Sequence, residues 1–434
     1  MAEDVPAETP APLPPNADPT KLLLGDVGGL RSELVKSGII PAVTDIEETL
    51  GNVSGGIRQG LIFEGLTDFS LAYDFRPRFH WRGNFFVRGF QIHGKGLTAN
   101  NIDNLNTISG IEATATTRLF ELWYEQHIGD WLRIRIGQQA AGTEFLITTG
   151  AKPFVNSAFG WPTLPAEDLP SGGPAYPLAT PALRFRIDAS DEWTFLAGVF
   201  NGSPAGPGPG NPQQRDASGT NFRLDDGILA LYQARYNPDN SPKNGTYRLG
   251  VWYNSELFAD QAVDTLGVSL ASPLSNGMPR QHRGNASIYG VVDQPLFGGG
   301  PDGFAGFARA MGAPGDRNLV AAYLDGGITY KSPSKNLFDQ TGDTTGVAVA
   351  YARIGAAARA LAAETAAFTG QPYPLRSSET VVELTYQIQL RPGWLVQPDL
   401  QYVINPGGGI PNPLMPPSRI KNALIGGVRT IINF

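Results

Sequence analysis

The sequence predicts an all-β protein: a 16-stranded antiparallel transmembrane β-barrel with short periplasmic turns, long extracellular loops and one loop folded inward as a constriction. Three observations predict it. About sixteen runs of roughly ten residues alternate apolar and polar positions, the period of a strand with one apolar and one polar face. The links between runs are mostly short on one side and long on the other, as in outer-membrane barrels. The chain of 434 residues holds 53 Gly and 36 Pro, too many helix breakers for a mostly helical protein.

Composition narrows the class further. Charged residues make up only 17%, below the usual share for a soluble domain. No window approaches the run of apolar residues that a membrane helix needs. The net charge of −7 argues against a nucleic-acid partner, which would require a basic stripe. The absence of Cys removes thiol catalysis, zinc ribbons and disulfide scaffolds. The start of the chain has no basic and apolar signal-peptide pattern. It reads instead as a mature N-terminus, a Pro-rich flexible leader over 1–24 expected to be disordered. A short amphipathic periplasmic segment follows over 25–38, and the barrel occupies 39–434.

Taken in order, the strands are expected at 39–50, 57–75, 79–95, 117–128, 131–140, 182–188, 193–201, 227–236, 246–254, 286–296, 303–310, 318–330, 344–354, 379–390, 394–405 and 421–434. The second is the cleanest: Leu61, Phe63, Phe69, Leu71 and Tyr73 fall on one face, Glu64, Asp68, Ser70 and Asp74 on the other. Between 286 and 354 Gly and Ala blur the alternation. Long links fall at 96–116, 141–181, 202–226, 255–285, 355–378 and 406–420, with a helical piece expected over 355–370. Three links break the rule: 51–56 and 311–317 are short where long ones belong, and 331–343 is long. A soluble sandwich also alternates, but its strands are shorter. Here Tyr73, Phe75, Tyr386, Trp394 and Tyr402 stand at strand ends, where a membrane barrel carries aromatic girdles. Phe434 closes an alternating last strand, as in proteins delivered to the outer membrane. Both chain ends are expected on the periplasmic side.

Several motifs, in order, add a resemblance. Gly25-Asp26-Val27-Gly28-Gly29-Leu30-Arg31 resembles the GDWGGLR opening of the carbohydrate-selective porin (OprB-type) family, with Val27 where that family usually has Trp. Gly51-Asn52-Val53-Ser54-Gly55-Gly56 is similar to its LGN-x-SGG turn. Gln91-Ile92-His93-Gly94 matches Q-x-HG, and Glu121-Leu122-Trp123-Tyr124-Glu125-Gln126 matches ELW-x-EQ. The segments 156–162 and 169–177 resemble its most distinctive loop, and 198–202, 245–253, 379–386 and 397–407 carry the likeness to the C-terminus. The resemblance implies a sugar channel of a Gram-negative outer membrane, working by passive, facilitated diffusion of monosaccharides and small oligosaccharides. A general diffusion porin without sugar preference and an outer-membrane lipid-hydrolysing enzyme are the alternatives. The sequence leaves open whether the barrel is a monomer or a homotrimer, and whether the leader makes a periplasmic contact.

A channel needs a polar path that favours its solute without holding it. By parity, strands five, six, eight, nine and sixteen send Arg133, Arg135, Arg184, Arg186, Arg235, Arg248 and Arg429 inward. Strands two, four, fourteen and fifteen send Glu64, Asp68, Glu121, Glu125, Glu379, Glu383 and Asp399. An arginine arc opposite an acidic arc is the expected lining. On strand three Arg88 shares parity with Phe86, Phe90 and Ile92, so Gln91 and His93 are taken as the lining there. The link 141–181 is too long to be idle, and its Trp161 and Tyr176 mark it as the constriction. Such charges equally serve to brace the wall. His80, His93, His127 and His282 have no metal-ligand spacing, so neither metal nor cofactor is expected. Gly298–Gly300 and Gly407–Gly409 read as turns, since no strand-loop-helix context surrounds them.

Overall fold

Alternation becomes architecture because a strand in lipid must pair every backbone group, which a barrel does only by closing. The computed structural model describes residues 18–241, 243–297, 302–370 and 373–434. Sixteen antiparallel strands form one closed barrel in sequence order, β16 returning to pair with β1. The first eight are β1 (Ile39–Gly56), β2 (Gly60–Asp74), β3 (Gly83–Gly94), β4 (Thr116–Ile128), β5 (Leu132–Gln139), β6 (Thr180–Asp188), β7 (Trp193–Asn201) and β8 (Ile228–Tyr236). The others are β9 (Thr246–Asp264), β10 (Pro279–Phe297), β11 (Gly303–Gly312), β12 (Val320–Lys331), β13 (Thr344–Ile354), β14 (Ser378–Arg391), β15 (Trp394–Ile404) and β16 (Lys421–Asn433). The expected strands are all present. The first runs on to Gly56, and β9 and β10 extend as 19-residue strands into what read as a long link.

Short links close one end. Gly129 and Gly393 take positive φ (57° and 73°) there, a backbone that side chains with a Cβ adopt at a cost. The chain ends lie at that same end, Leu23 N–H donating to Asn433 O at 2.9 Å and Phe434 N–H to Val43 O at 2.9 Å. The short β11–β12 link and the longer β12–β13 link are where the sequence put them, but the short β1–β2 link falls at 57–59 and not at 51–56, which belongs to β1.

Two of the expected helical pieces are present: α1 (Leu30–Lys36) in the periplasmic segment and, after α2 (Thr163–Asp168), α3 (Ala356–Thr369) in the link after β13. Val35 of α1 packs on Ile40, Ala72, Phe86 and Trp123. Residues 1–17 of the leader and the glycines at 298–300 lie outside the described residues. Gly407–Gly409 form a turn with positive φ. Outward strand positions are apolar and exposed, as at Leu249, Ile288, Val347 and Leu384. Inward, part of the wall from β7 to β11 is apolar as well: Leu196, Phe200, Leu229, Trp252 and Phe307 pack against Phe145, Phe154, Phe159 and Leu164 of the long β5–β6 link. This is why alternation weakens late in the sequence: the lumen is partly filled with protein.

Candidate functional site

The 40-residue scale of the β5–β6 link lets it cross the lumen, and the opposite wall holds it there. Val155 and Asn156 N–H groups donate to Glu383 at 2.6 and 2.9 Å. Arg309 on β11 donates to four loop carbonyls, those of Leu146, Ala158, Phe159 and Gly160, at 2.8–3.0 Å. Its guanidinium is neutralised by Asp325 of the neighbouring strand. Asp293 accepts from Gly150 N–H at 3.0 Å and from the Thr148 hydroxyl. The β3–β4 link is fastened likewise: Leu105 and Asn106 N–H donate to Glu379 at 2.8 and 2.7 Å. A carboxylate accepting two backbone N–H groups satisfies donors that a loop inside a barrel would otherwise leave unpaired.

What remains open is a path with two cavities. The one toward the long-loop end, about 410 Å³, is lined by Arg88, Phe90, Glu112, Phe120, Trp161 and Tyr176, among others. The one toward the short-turn end, about 830 Å³, is lined by Glu144, Lys152, Arg186, Arg235 and Arg248, among others. Gly110, Gly142, Thr143, Ser157 and Gly160 line both, so the path narrows between small residues of the two inward loops. Residues of both the β3–β4 and the β5–β6 links therefore border the junction of the two cavities.

The charges divide by exposure. Arg88 keeps a quarter of its side chain accessible. It forks onto Asp68 at 2.6–3.1 Å, lies 3.8 Å from Glu121, and stacks over Phe90 and Phe120 at 5.2 and 5.6 Å from their ring centres. Glu121 itself is buried. Arg135 and Arg184 are buried and converge on Glu125 at 2.9 and 2.5 Å and on Glu144 at 3.3 and 2.6 Å. Arg135 also covers the Trp123 ring at 3.7 Å. Arg133 and Arg186 share Asp188 at 3.4 and 2.9 Å. Arg248 holds Asp293 at 2.7 Å, and Arg235 lies beside Arg248 in register. Arg429 pairs with Glu48. Trp161 donates to Gly172 O at 3.0 Å, bracing the loop while lining the first cavity. Burial pushes Glu112 up to about 7; hydrogen bonds from Thr98 oppose that and Glu48 adds to it.

Three expectations need correction. Gln91 and His93 face outward, because β3 pairs Asp68 with Phe90 and Ser70 with Arg88 on the inner face. Phe86, Phe90 and Ile92 point inward because the loops give them an apolar surface to pack on. The acidic arc does not face the arginine arc across the open path. Glu125 sits between Arg135 and Arg184 on the same wall, and Glu379 and Glu383 are buried against loop backbone. Glu64 is buried opposite Glu48 in the β1–β2 register. Arg88 and Glu144, which line the cavities, and the buried Arg309–Asp325 pair that holds the loop were not among the expected site residues. Arg309 carried a signal, a single charge at opposite parity to Ala308 and Ala310. Glu144, in a loop, carried none.

Comparison with known proteins agrees with this architecture. Residues 80–434 match the family model described as carbohydrate-selective porin, OprB family. Porin B of Pseudomonas aeruginosa is 25% identical over 432 residues, covering 94% of this chain and 90% of that protein. The high-pH structure of Pseudomonas putida OprB superposes with a TM-score of 0.83 at 22% identity, over 96% of this chain and 99% of the other. The DcaP channel of Acinetobacter baumannii shares the fold at a TM-score of 0.50 and 9% identity, over 91% and 97%. A closed barrel of sixteen strands, crossed by loops and matched over most of its length by one family model, places the chain in the carbohydrate-selective porin family, as a sugar channel of the outer membrane and not an enzyme.

Proposed function

We propose that this channel passes monosaccharides and small oligosaccharides by facilitated diffusion, and that Arg88 with Asp68 is the polar contact that selects them. The observation that carries this is an accessible guanidinium held in place by a carboxylate fork and two aromatic faces beside the narrowest stretch. A fixed fork of donors suits vicinal hydroxyls, and the half-buried rings of Trp161 and Tyr176, which line the same cavity, suit the C–H side of a pyranose. Arg186, Arg235 and Arg248 line the next cavity and draw the solute onward. The buried group of Arg135, Arg184, Glu125 and Glu144 braces the wall beneath. Nothing in this path binds tightly, as conduction requires.

Swelling of liposomes carrying the protein, with sugars and amino acids of equal size, tests the reading. Sugars should enter faster, and Arg88→Ala should remove the difference. Equal rates in the native protein would indicate a general porin, and lipid hydrolysis without swelling would indicate an enzyme.

A further inference from the structure

A lipid-facing wall gains contact by filling its outward positions with large apolar side chains, as Val347, Val349, Val382 and Leu384 do on β13 and β14. The wall from β8 to β12 departs from this. Its outward surface carries a groove of about 750 Å³, lined by the small residues Ala230, Ala286, Gly312 and Ala321 and by the Tyr232 and Tyr253 rings, among others. Register fixes the side, because residues paired across antiparallel strands share a face. Ala230 and Ala286 both pair with Tyr253, and Gly312 pairs with Ile288; Tyr253 and Ile288 are 47% and 58% exposed.

One end of the groove is built rather than left open. Gly284 bulges out of β10 with φ 81°, and the Tyr253 side chain lies so close over it that a Cβ there would stand 2.6 Å from the phenol oxygen. Arg317, in the tight β11–β12 link, donates to Gly284 O at 2.8 Å, with Asp316 offsetting its charge. Arg283, next to the bulge, pairs in register with the outward Leu257. Its side chain is exposed and has no ion pair or hydrogen bond among the described residues. The height follows from β9. Tyr247 is an exposed aromatic at the short-turn end of that strand, and Leu257 stands ten residues farther along it. Ten residues of tilted strand climb about 25 Å, the height of the apolar band. Arg283 therefore stands at the outer headgroup level, where a lipid-facing cation costs little, and the groove lies below it in hydrocarbon.

We propose that this groove seats a phosphorylated lipid of the outer leaflet, one acyl chain lying along the small residues and the phosphate on Arg283. A guanidinium donates to phosphate as a fork, and the depression accepts a chain that larger side chains would push away. The lining holds no carboxylate, so a second copy of the chain docked face to face would leave Arg283 unpaired.

Native mass spectrometry of the full chain in detergent tests this, with phosphatidic acid and diacylglycerol of identical acyl chains as probes. Phosphatidic acid should bind the wild type about tenfold more tightly than diacylglycerol, the worth of a charge-assisted hydrogen bond. Arg283→Gln should bring the two probes level, and Ala286→Trp, which fills the groove, should weaken both. Val349→Trp on another part of the wall should change neither, and sugar flux should be the same in all variants, since the groove lies outside the lumen. Heat-modifiability on gel electrophoresis shows whether each variant has folded. Equal affinity of the wild type for the two probes overturns the proposal. So does phosphatidic acid bound undiminished by either groove variant, inorganic phosphate binding as tightly as the lipid, or paired barrels displacing it.

Discussion

Glu125 accepts from two guanidinium groups while 1% exposed. Removing one member of such a buried set leaves uncompensated charge, at a cost of about 3–5 kcal/mol. Glu125→Ala should therefore lower the melting temperature of the detergent-solubilised barrel, and adding Arg135→Ala should restore part of the loss. The same double variant should leave the constant for sugar block of ion current unchanged, because these charges brace rather than line. Arg88→Ala should show the opposite pattern, a weaker sugar block with little loss of stability. Glu112 makes a pH prediction. Its carboxyl, pushed up to about 7 by burial, is neutral below that pH and charged above it. Glu167, also raised to about 7 by burial, faces the same cavity. Raising the pH from about 6 to about 8 should shift the reversal potential in a salt gradient toward cations, and Glu112→Gln should reduce that shift. Since the folded value exceeds the ordinary 4.5, this carboxyl destabilises the loop increasingly as pH rises from 4.5 to about 7, and no further above that. Residue parity was legible wherever lipid lay on one side and water on the other. It misled on β3, where Phe86, Phe90 and Ile92 pack inside the barrel and Gln91 and His93 face outward.

Strands were the most legible elements, because lipid imposes one rule on half of their positions. Leu384 on β14 is outward and half exposed, so Leu384→Arg should cost ~2–4 kcal/mol in a folding titration into lipid. Gln387 on the same strand faces inward, near Pro153 O and Gln397, and Gln387→Arg should be tolerated. Equal responses would contradict the assigned faces. The loops were less legible. Their length announced that they do something, but their docking depends on partners far along the chain: Glu383 holds Val155 and Asn156 across 228 and 227 residues. No local pattern encodes such pairs. Glu383→Ala leaves two buried N–H groups unpaired, at about 1–3 kcal/mol each. The expected outcome is a wider, noisier channel in single-channel recordings, with the barrel still folded.

At the scale of the whole molecule, closure is the property on which everything else rests. Deleting residues 421–434 would open the edges of β1 and β15, and the shortened chain should yield no heat-modifiable barrel on gel electrophoresis. The anchoring of the β5–β6 loop on β10–β14 also has a meaning in time. Ribosomes deliver that loop long before Asp293, Arg309, Asp325 and Glu383 exist. Because those residues sit on wall strands β10–β14, the inner obstruction has nothing to dock on until that part of the wall is in place. Fastening the obstruction to late strands makes sieving the last property acquired, so that only a completed wall becomes a selective one.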